Sequence, residues 1–212
     1  MPKTLNARFN QINMRISWKL IFFLLIGYGA YQHYSNRPVM HGNGVTAALA
    51  PAQHTTSQSS QSALNFKGYT IIPQQTFAIQ ARVLSATHYS FDREADLAPV
   101  DLALGWGPMS DEAILKDIKI TQSNRFYHWH VDEFFIPRSQ IEKNSANMHM
   151  IPADKEVEKA LKAVKEGQVV NITGFLVNAS RSDGWYWKSS LSRDDTGAGA
   201  CELVYVTTIS VN

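Results

Sequence analysis

The feature that most restricts the fold is a helix that runs directly into a strand at residues 153–177. In "ADKEVEKALKAVKEG", Val157 and Leu161 recur at helical spacing among Glu and Lys side chains, and Gly167 ends the pattern. "QVVNITGFLV" follows at once as a strand with Gly174 in its middle, which is typical of a strand that bulges or coils. This junction predicts a small, strongly curved sheet interrupted by one helix.

The other periodic segments are mainly strands. Residues 77–83 alternate between apolar and polar, "RFYHWHVDEFFI" is aromatic and alternating, and "GWYWKSS" and "CELVYVTTISV" are also predicted to be strands. Between them, "SANMHMIPAD" (145–154) is predicted to be a polar loop. A helix that enters between the third and fourth strands of a small barrel is the order of an OB-like fold. The predicted fold is therefore mainly β with one or two helices, forming a small OB-like β-barrel. The alternative is an α+β open antiparallel sheet with its helices on one face.

Charge is distributed unevenly along the 212 residues. Five of the 20 Lys and Arg side chains, but none of the 18 Asp and Glu side chains, precede residue 65. Residues 65–212 therefore carry 15 basic and 18 acidic side chains, a net charge of −3. Because the pI of about 8.6 comes largely from the N-terminal arm, it does not indicate nucleic-acid binding.

The basic arm precedes an apolar stretch, which predicts membrane insertion. "WKLIFFLLIGYGAY" (18–31) follows a cluster of basic residues, and Arg37 is the one charged residue after it in the predicted tether, as the positive-inside rule requires. We expect residues 1–15 to be a cytoplasmic tail and residues 16–31 an uncleaved, single-pass signal-anchor helix in the inner (cytoplasmic) membrane. A cleaved signal peptide is the alternative.

The segment after the apolar stretch is predicted to be a linker. Residues 32–64 are rich in Ser, Gln, Ala, Thr and Gly, so we expect a flexible tether. Residues 65–212 are then predicted to form an extracytoplasmic, periplasmic globular domain. Its single cysteine, Cys201, cannot form an intramolecular disulfide, so the domain has to depend on its own core.

Three stretches resemble those of an uncharacterised family of bacterial single-pass, membrane-anchored proteins. These are "LALGWGPMSD", "SANMHMIP" and "WYWKSSLSRDDTGAGACE", and the similarity extends over roughly residues 69–206. The family has no assigned activity. The resemblance therefore implies a bacterial source, and it transfers no catalytic residues to this chain.

The histidines suggest metal binding or acid–base chemistry. On a strand, His128, His130 and Asp132 lie on one face, and Tyr127 and Trp129 lie on the opposite, core-facing one.

A His-x-His pair can begin a zinc or copper site, to which Asp132 or His149 could add a ligand. The Met-His-Met sequence around His149 would suit copper(I). The alternative is that His128 and His130 are ordinary polar residues on a solvent-facing strand, and that the methionines around His149 are apolar plugs.

A second group of residues suggests ligand binding. Two tryptophans on one strand face can form an aromatic platform for bases or sugars, although such residues are also ordinary core anchors. The charged loop after them could contact a ligand or form a buried ion pair. The candidate ligand-binding residues are Trp106, Trp185, Trp187, Arg193 and Asp194. Cys201 beside a histidine is a candidate nucleophile, and a small apolar filler is its alternative role.

Three functions are compatible with these patterns. The first is a membrane-tethered binding or interaction module whose partner is a protein or small ligand outside the cytoplasm, because the common catalytic motifs are absent from the sequence. The second is a metal-dependent or His-based periplasmic hydrolase that uses His128, His130, Asp132, His149 and Cys201. The third is an OB-like nucleic-acid-binding domain, which the charge of −3 disfavours.

Overall fold

The computed structural model describes residues 17–35, 37–55, 62–192 and 200–212. The chain forms two units, residues 1–37 and residues 38–212. The four helices of the described residues are α1 (Trp18–Ser35), α2 (Glu112–Leu115), α3 (Arg138–Lys143) and α4 (Lys155–Ala163). The strands are β1 (Ala52–Thr55), β2 (Leu64–Phe66), β3 (Tyr69–His88), β4 (Val100–Gly105), β5 (Lys119–Ser123), β6 (Phe126–His130), β7 (Ser145–Pro152), β8 (Val169–Ser180), β9 (Tyr186–Lys188) and β10 (Glu202–Val211).

The first unit contains α1, and here the prediction of a transmembrane anchor is wrong. Within the described residues, no helix combines the length and apolar character needed to cross a membrane. The 18 residues of α1 extend over about 27 Å, and the apolar run stops near Tyr31, before the helix ends. A bilayer core of about 30 Å needs roughly 20 apolar residues. The expected location outside the cytoplasm depended on this anchor and stays a prediction.

Five strands of the second unit close into a ring, which confirms the predicted small β-barrel. β3 pairs antiparallel with β4, and β4 pairs antiparallel with β7. β7 pairs parallel with β10, β10 pairs antiparallel with β8, and β8 returns antiparallel to β3. In order along the chain these are barrel strands one to five, with α4 between the third and the fourth. This is the strand order of an OB-type barrel, and its closure excludes the alternative of an open sheet.

Alternating side chains of the ring fill the barrel interior. Leu102, Met148 and Val204 are fully buried in this core. Asp154 caps α4 by accepting hydrogen bonds from the amides of Glu156 and Val157, and the helix buries Leu161 in the same core. The amphipathic spacing of α4 therefore serves to close one end of the barrel.

Gly174 marks the tight coil that the sequence predicts within β8. A Cβ at this position would lie 2.0 Å from the carbonyl oxygen of Tyr205, so only glycine lets β8 and β10 approach this closely. The β8–β10 register also shifts between Val206 and Thr208, opposite the glycine. This irregularity increases the local twist, which helps a five-stranded sheet to close.

The third barrel strand differs from the prediction. The expected polar loop at 145–154 is largely β7, every residue of which is buried. The strand expected at 125–136 is present only as β6, and it lies outside the barrel in a separate two-stranded hairpin with β5. The loop prediction fails because the polar face of β7, which suggested exposure to solvent, is covered by protein. Its polar side chains, including Asn147 and His149, are therefore held by protein partners instead of solvent.

The start of the second unit is a strap along the barrel, defined here as residues 38–47. The amide of Val39 donates to Glu166, and the His41 ring bonds the carbonyl oxygen of Gly167 at 2.7 Å. Gly167 has φ +84°, and a Cβ on it would lie 1.9 Å from the Val39 carbonyl oxygen. Residues 38–55 of the expected flexible tether therefore belong to the globular unit.

Candidate functional site

The outer face of β4 and β7 carries a group of four buried polar residues. Asp101 of β4 lies opposite His149 of β7 in the antiparallel register, and Ser145 and Asn147 precede His149 on the same face. The β5–β6 hairpin and the segment containing β9 lie against this face. It divides into two regions, a buried polar cluster at one end and an open cleft at the other.

The buried polar cluster consists of Asp101, Arg125 and His149, and Asp92, whose side chain is 33% exposed, lies at its edge. Asp101 is completely buried, and its Oδ1 accepts a hydrogen bond of 2.9 Å from Arg125 Nη1. His149 Nδ1 lies 2.9 Å from the same oxygen but off the hydrogen-bond line, so this is a close polar contact without hydrogen-bond alignment. Arg125 also binds Asp92 with two nitrogens, at 2.9 and 2.7 Å. One guanidinium thus neutralises a buried and a half-buried carboxylate together.

Aromatic side chains enclose this cluster. The Trp187 ring lies 4.5 Å from the His149 ring, and the Arg125 guanidinium lies 3.6 Å from the centre of the Tyr89 ring. Burial alone would lower the pKa of Arg125. The hydrogen bonds and charges of Asp92 and Asp101 outweigh burial and raise that pKa above its usual value. The guanidinium therefore stays charged and joins the hairpin to the barrel.

Arg125 is placed by the turn of the hairpin. Asn124 and Arg125 both have positive φ, at 51° and 68°, as a two-residue type I′ turn requires. Arginine is an unusual residue for this backbone, which glycine favours. Two further bonds hold the turn: the Asn147 side chain donates to the Arg125 carbonyl oxygen at 2.9 Å, and Gln122 donates to Asn147 at 2.6 Å. The contacts of Arg125 with the cluster explain why the chain tolerates this conformation.

The open region is a cleft of about 680 Å³, called the β6 cleft below. Its walls are β6 with the following loop, α3, the start of β7 and the segment around Cys201. Glu202, Trp106 and Asn147 are its most buried lining residues, and Phe134 is an exposed aromatic residue on its wall. Tyr127 donates or accepts a hydrogen bond of 2.6 Å with Ser145, where the cleft meets the outer face of β7.

Burial raises the pKa of Tyr127 above 10.0, and the hydrogen bond with Ser145 lowers it by less. The phenol therefore stays neutral at physiological pH, as a packed wall residue does.

The predicted histidine site divides between the two regions. His128 and His130 are exposed and line the β6 cleft, with Nε2 atoms 3.3 Å from Ser123 and Asp132 respectively. Asp132 is fully exposed, whereas His149 lies in the buried cluster. Met148 and Met150 point into the barrel core, on the face opposite His149.

Cofactor binding is a separate question from the placement of these side chains. In the described part of the chain, no three His, Cys, Asp or Glu side chains are grouped as metal ligands. Zinc or copper binding stays a prediction.

The predicted aromatic platform packs inward. Trp185 meets Tyr69 edge to face at 5.3 Å, and Trp187 contacts Trp185 and His149. Both tryptophans are half-buried and cover the outer side of the barrel. Trp106 and the half-buried Cys201 line the β6 cleft. The remaining two candidates, Arg193 and Asp194, lie outside the described residues.

Sequence reasoning missed Asp92, Asp101 and Arg125. Asp101 is a lone acidic residue in the apolar run "PVDLALG", and such a residue requires a buried partner. "NR" separates two alternating strands at the position where Asn-Gly is usual. These two irregularities were the available signals. A buried carboxylate and a positive-φ arginine are both unfavourable locally, and a tertiary contact has to compensate for each.

The fold and the cleft define an OB-type barrel with an added hairpin. No protein-family model, curated protein or solved structure matches this chain. Its function is therefore inferred from the geometry of the β6 cleft and the buried polar cluster alone.

Proposed function

We propose that the barrel domain is a ligand-binding module and that the β6 cleft is its binding site. The observation that carries this proposal is a cleft of about 680 Å³ between β6, α3 and the start of β7, the third barrel strand. Ligand sites commonly enclose 300–1,000 Å³ and combine aromatic walls with a few converging polar groups. OB-type barrels use the face of their second and third strands, with the adjoining loops, to bind oligomeric ligands.

The charges in the cleft favour a ligand other than nucleic acid. Arg138 and Lys143 are balanced by Glu142 and Glu202, and Arg138 already pairs with Glu142 at 2.7 Å. Nucleic-acid binding needs a surplus of cationic groups along the phosphate backbone. Because residues 65–212 carry a net charge of −3, a neutral or zwitterionic ligand fits better than a phosphodiester.

The hydrolase alternative has less support. His128, His130 and Cys201 share the cleft, but Asp132, which contacts His130, is fully exposed, and the buried carboxylate Asp101 lies with His149 in the other region. A general base has to reach its substrate within hydrogen-bond distance. We therefore favour binding over catalysis as the role of this domain.

The test is a screen of the full chain against a mixture of monosaccharides, nucleosides and dipeptides by ligand-observed NMR. Compounds that bind are then measured against Phe134→Ala and the matched control Phe135→Ala. Phe134 is 53% exposed and lines the cleft, whereas its neighbour Phe135 is 63% exposed and does not. We expect affinity to fall about fivefold or more in the first variant and to be unchanged in the second. Equal losses in both variants, or no bound compound, would contradict the proposal.

A further inference from the structure

Strand β6 has an open edge. Within the described residues it pairs only with β5, so its second edge carries backbone groups that no strand covers. In a two-residue hairpin the residues that flank the turn form a hydrogen-bonded pair, and bonded and non-bonded pairs alternate from there. Phe126 and His128 therefore use their backbone groups to bind β5, whereas Tyr127 and Trp129 direct their N–H and C=O groups outward.

The β6 cleft runs along this open edge. Its lining includes every residue from 126 to 131 without a gap. Side chains on a strand alternate between two faces, so a cavity on one face would contact every second residue. Contact with six consecutive residues fits a cleft that follows the edge of the strand, where the outward backbone groups lie.

The edge also lacks the usual protection against pairing. Natural edge strands are shortened or carry proline, lysine or a bulge that prevents a further strand from adding. By contrast with β9, which has three residues and ends in Lys188, β6 has five residues and none of these devices. Five residues in extended conformation cover about 17 Å, which is enough for several backbone hydrogen bonds.

The surroundings of the edge suit a peptide of mixed character. Phe126 and Phe134 offer exposed apolar surface, at 43% and 53% exposure. The charged residues that line the cleft are balanced, two basic and two acidic, so neither a strongly acidic nor a strongly basic partner is favoured. Affinity would come from main-chain hydrogen bonds, with side-chain pockets as a secondary contribution.

We propose that the β6 cleft binds an extended peptide segment of a partner protein, which adds to the β5–β6 hairpin as a third strand. This inference rests on the proposed function, because it names the class of ligand that occupies the same cleft. The peptide supplies N–H and C=O groups to Tyr127 and Trp129, and its side chains alternate between the cleft and solvent. The barrel holds the hairpin rigid through Arg125, so the edge is organised before the peptide arrives.

The first test uses a phage-displayed library of linear 12-residue peptides selected on the full chain. Selected peptides are synthesised, and hydrogen exchange is measured by NMR on the full chain with and without peptide. We expect the amides of Tyr127 and Trp129 to become protected, whereas His128, which already donates to β5, changes little. Failure to select a peptide, or binding that leaves Tyr127 and Trp129 unprotected, would overturn the proposal.

The second test places single N-methyl groups along one selected peptide. If the peptide is a third strand, methylation at alternate residues removes a backbone donor that faces β6, and affinity falls about tenfold. Methylation at the residues between them has a small effect. A loss that does not alternate would show that side chains alone hold the peptide, contrary to the proposal.

The same measurements separate failure of this inference from failure of the proposed function. Suppose that small molecules bind the cleft and depend on Phe134, but that no peptide protects the β6 edge. This result would support the proposed binding function and exclude strand addition. Protection of Tyr127 and Trp129 that depends on protein concentration, without peptide, would identify a second copy of the chain as the occupant and would also refute the proposal.

Discussion

The two ends of the outer face of β7 use polar residues for opposite purposes. At one end His149 is 2% exposed, and its neighbours Asp101 and Arg125 form an ion pair with each other. At the other end the β6 cleft leaves aromatic surface and the strand edge open. Asn147 joins the two regions, because it lines the cleft and also bonds the Arg125 carbonyl oxygen. If the proposed function holds, the buried polar cluster has a structural role, and it positions the strand edge that we propose binds a ligand.

Replacing Arg125 by glycine should reduce stability the most, because it removes the cation of the buried polar cluster. Glycine suits the positive φ of the turn, so the change relieves the backbone while it leaves the buried Asp101 without its cation. We expect the free energy of unfolding to fall by about 3–5 kcal/mol, measured by urea denaturation of the full chain. Asn124→Gly is the matched control and should preserve stability, since it relieves the same turn without removing a charge. Equal losses in the two variants would refute the assigned role of Arg125.

Histidines occur in both regions, so the buried polar cluster and the β6 cleft can be compared with the same substitution. His149→Ala removes the contact with Asp101 and the packing against Trp187, so we expect a loss of about 2–3 kcal/mol. His128→Ala and His130→Ala alter exposed side chains and should change stability by less than about 0.5 kcal/mol. Thermal and urea unfolding of the three variants check this. A large loss from His128→Ala would contradict the assignment of His128 to an open wall.

Tyr127 lies at the boundary between the two regions and gives a pH test. Burial raises its pKa above 10.0, so the folded chain holds this proton more tightly than the unfolded chain does. The corresponding stability is present below about pH 10 and is lost as the pH rises through the pKa of the folded state. Tyr127→Phe should therefore make the alkaline loss of stability shallower, at a cost of about 1 kcal/mol at neutral pH from the Ser145 hydrogen bond. Urea midpoints measured from pH 8 to pH 11 would decide this, and unchanged slopes would count against it.

Substitutions of the exposed phenylalanines at and beside the β6 cleft should have the smallest effect on stability. Phe134→Ala and Phe135→Ala both shorten exposed side chains, and each should change the free energy of unfolding by less than about 0.5 kcal/mol. The two variants are expected to differ in ligand affinity and not in denaturation midpoint. If Phe134→Ala unfolds much more readily than Phe135→Ala, the cleft wall belongs to the core and the contrast drawn above fails.

The barrel could be predicted because its strongest local patterns agree with its topology. The amphipathic helix α4 and the coiled strand around Gly174 both lie where the sequence places them. β7 also alternates, with Asn147 and His149 on one face and Met148 and Met150 on the other, but its polar face is buried against protein partners, which no local pattern reports. The apolar N-terminal run was misleading for a different reason, since its composition resembles an anchor but its length is insufficient.

The site was less accessible to sequence reasoning than the fold. His128 and His130 were correctly placed on the side of the strand opposite Tyr127 and Trp129, because period-two alternation is local. The meeting of Asp101 with Arg125 depends on a hairpin that folds back across the barrel, which no local period reports. The open edge of β6 is likewise a property of pairing, and pairing is decided by the whole topology.

The strap has a consequence for how the chain is made. His41 and the carbonyl oxygen of Gly167 are separated by 126 positions, so the strap leaves the ribosome long before its partner exists. At 5–20 residues per second the interval is roughly 6–25 s. During synthesis, residues 38–47 are therefore made before three of the five ring strands, β3, β4 and β7, and the Gly167 turn follows these strands. Thr46 and Ala47 have their partner Ser110 earlier, but Val39 and His41 can dock only after the turn at Gly167 has formed, so the first residues of the strap reach their native contacts after the last ones can.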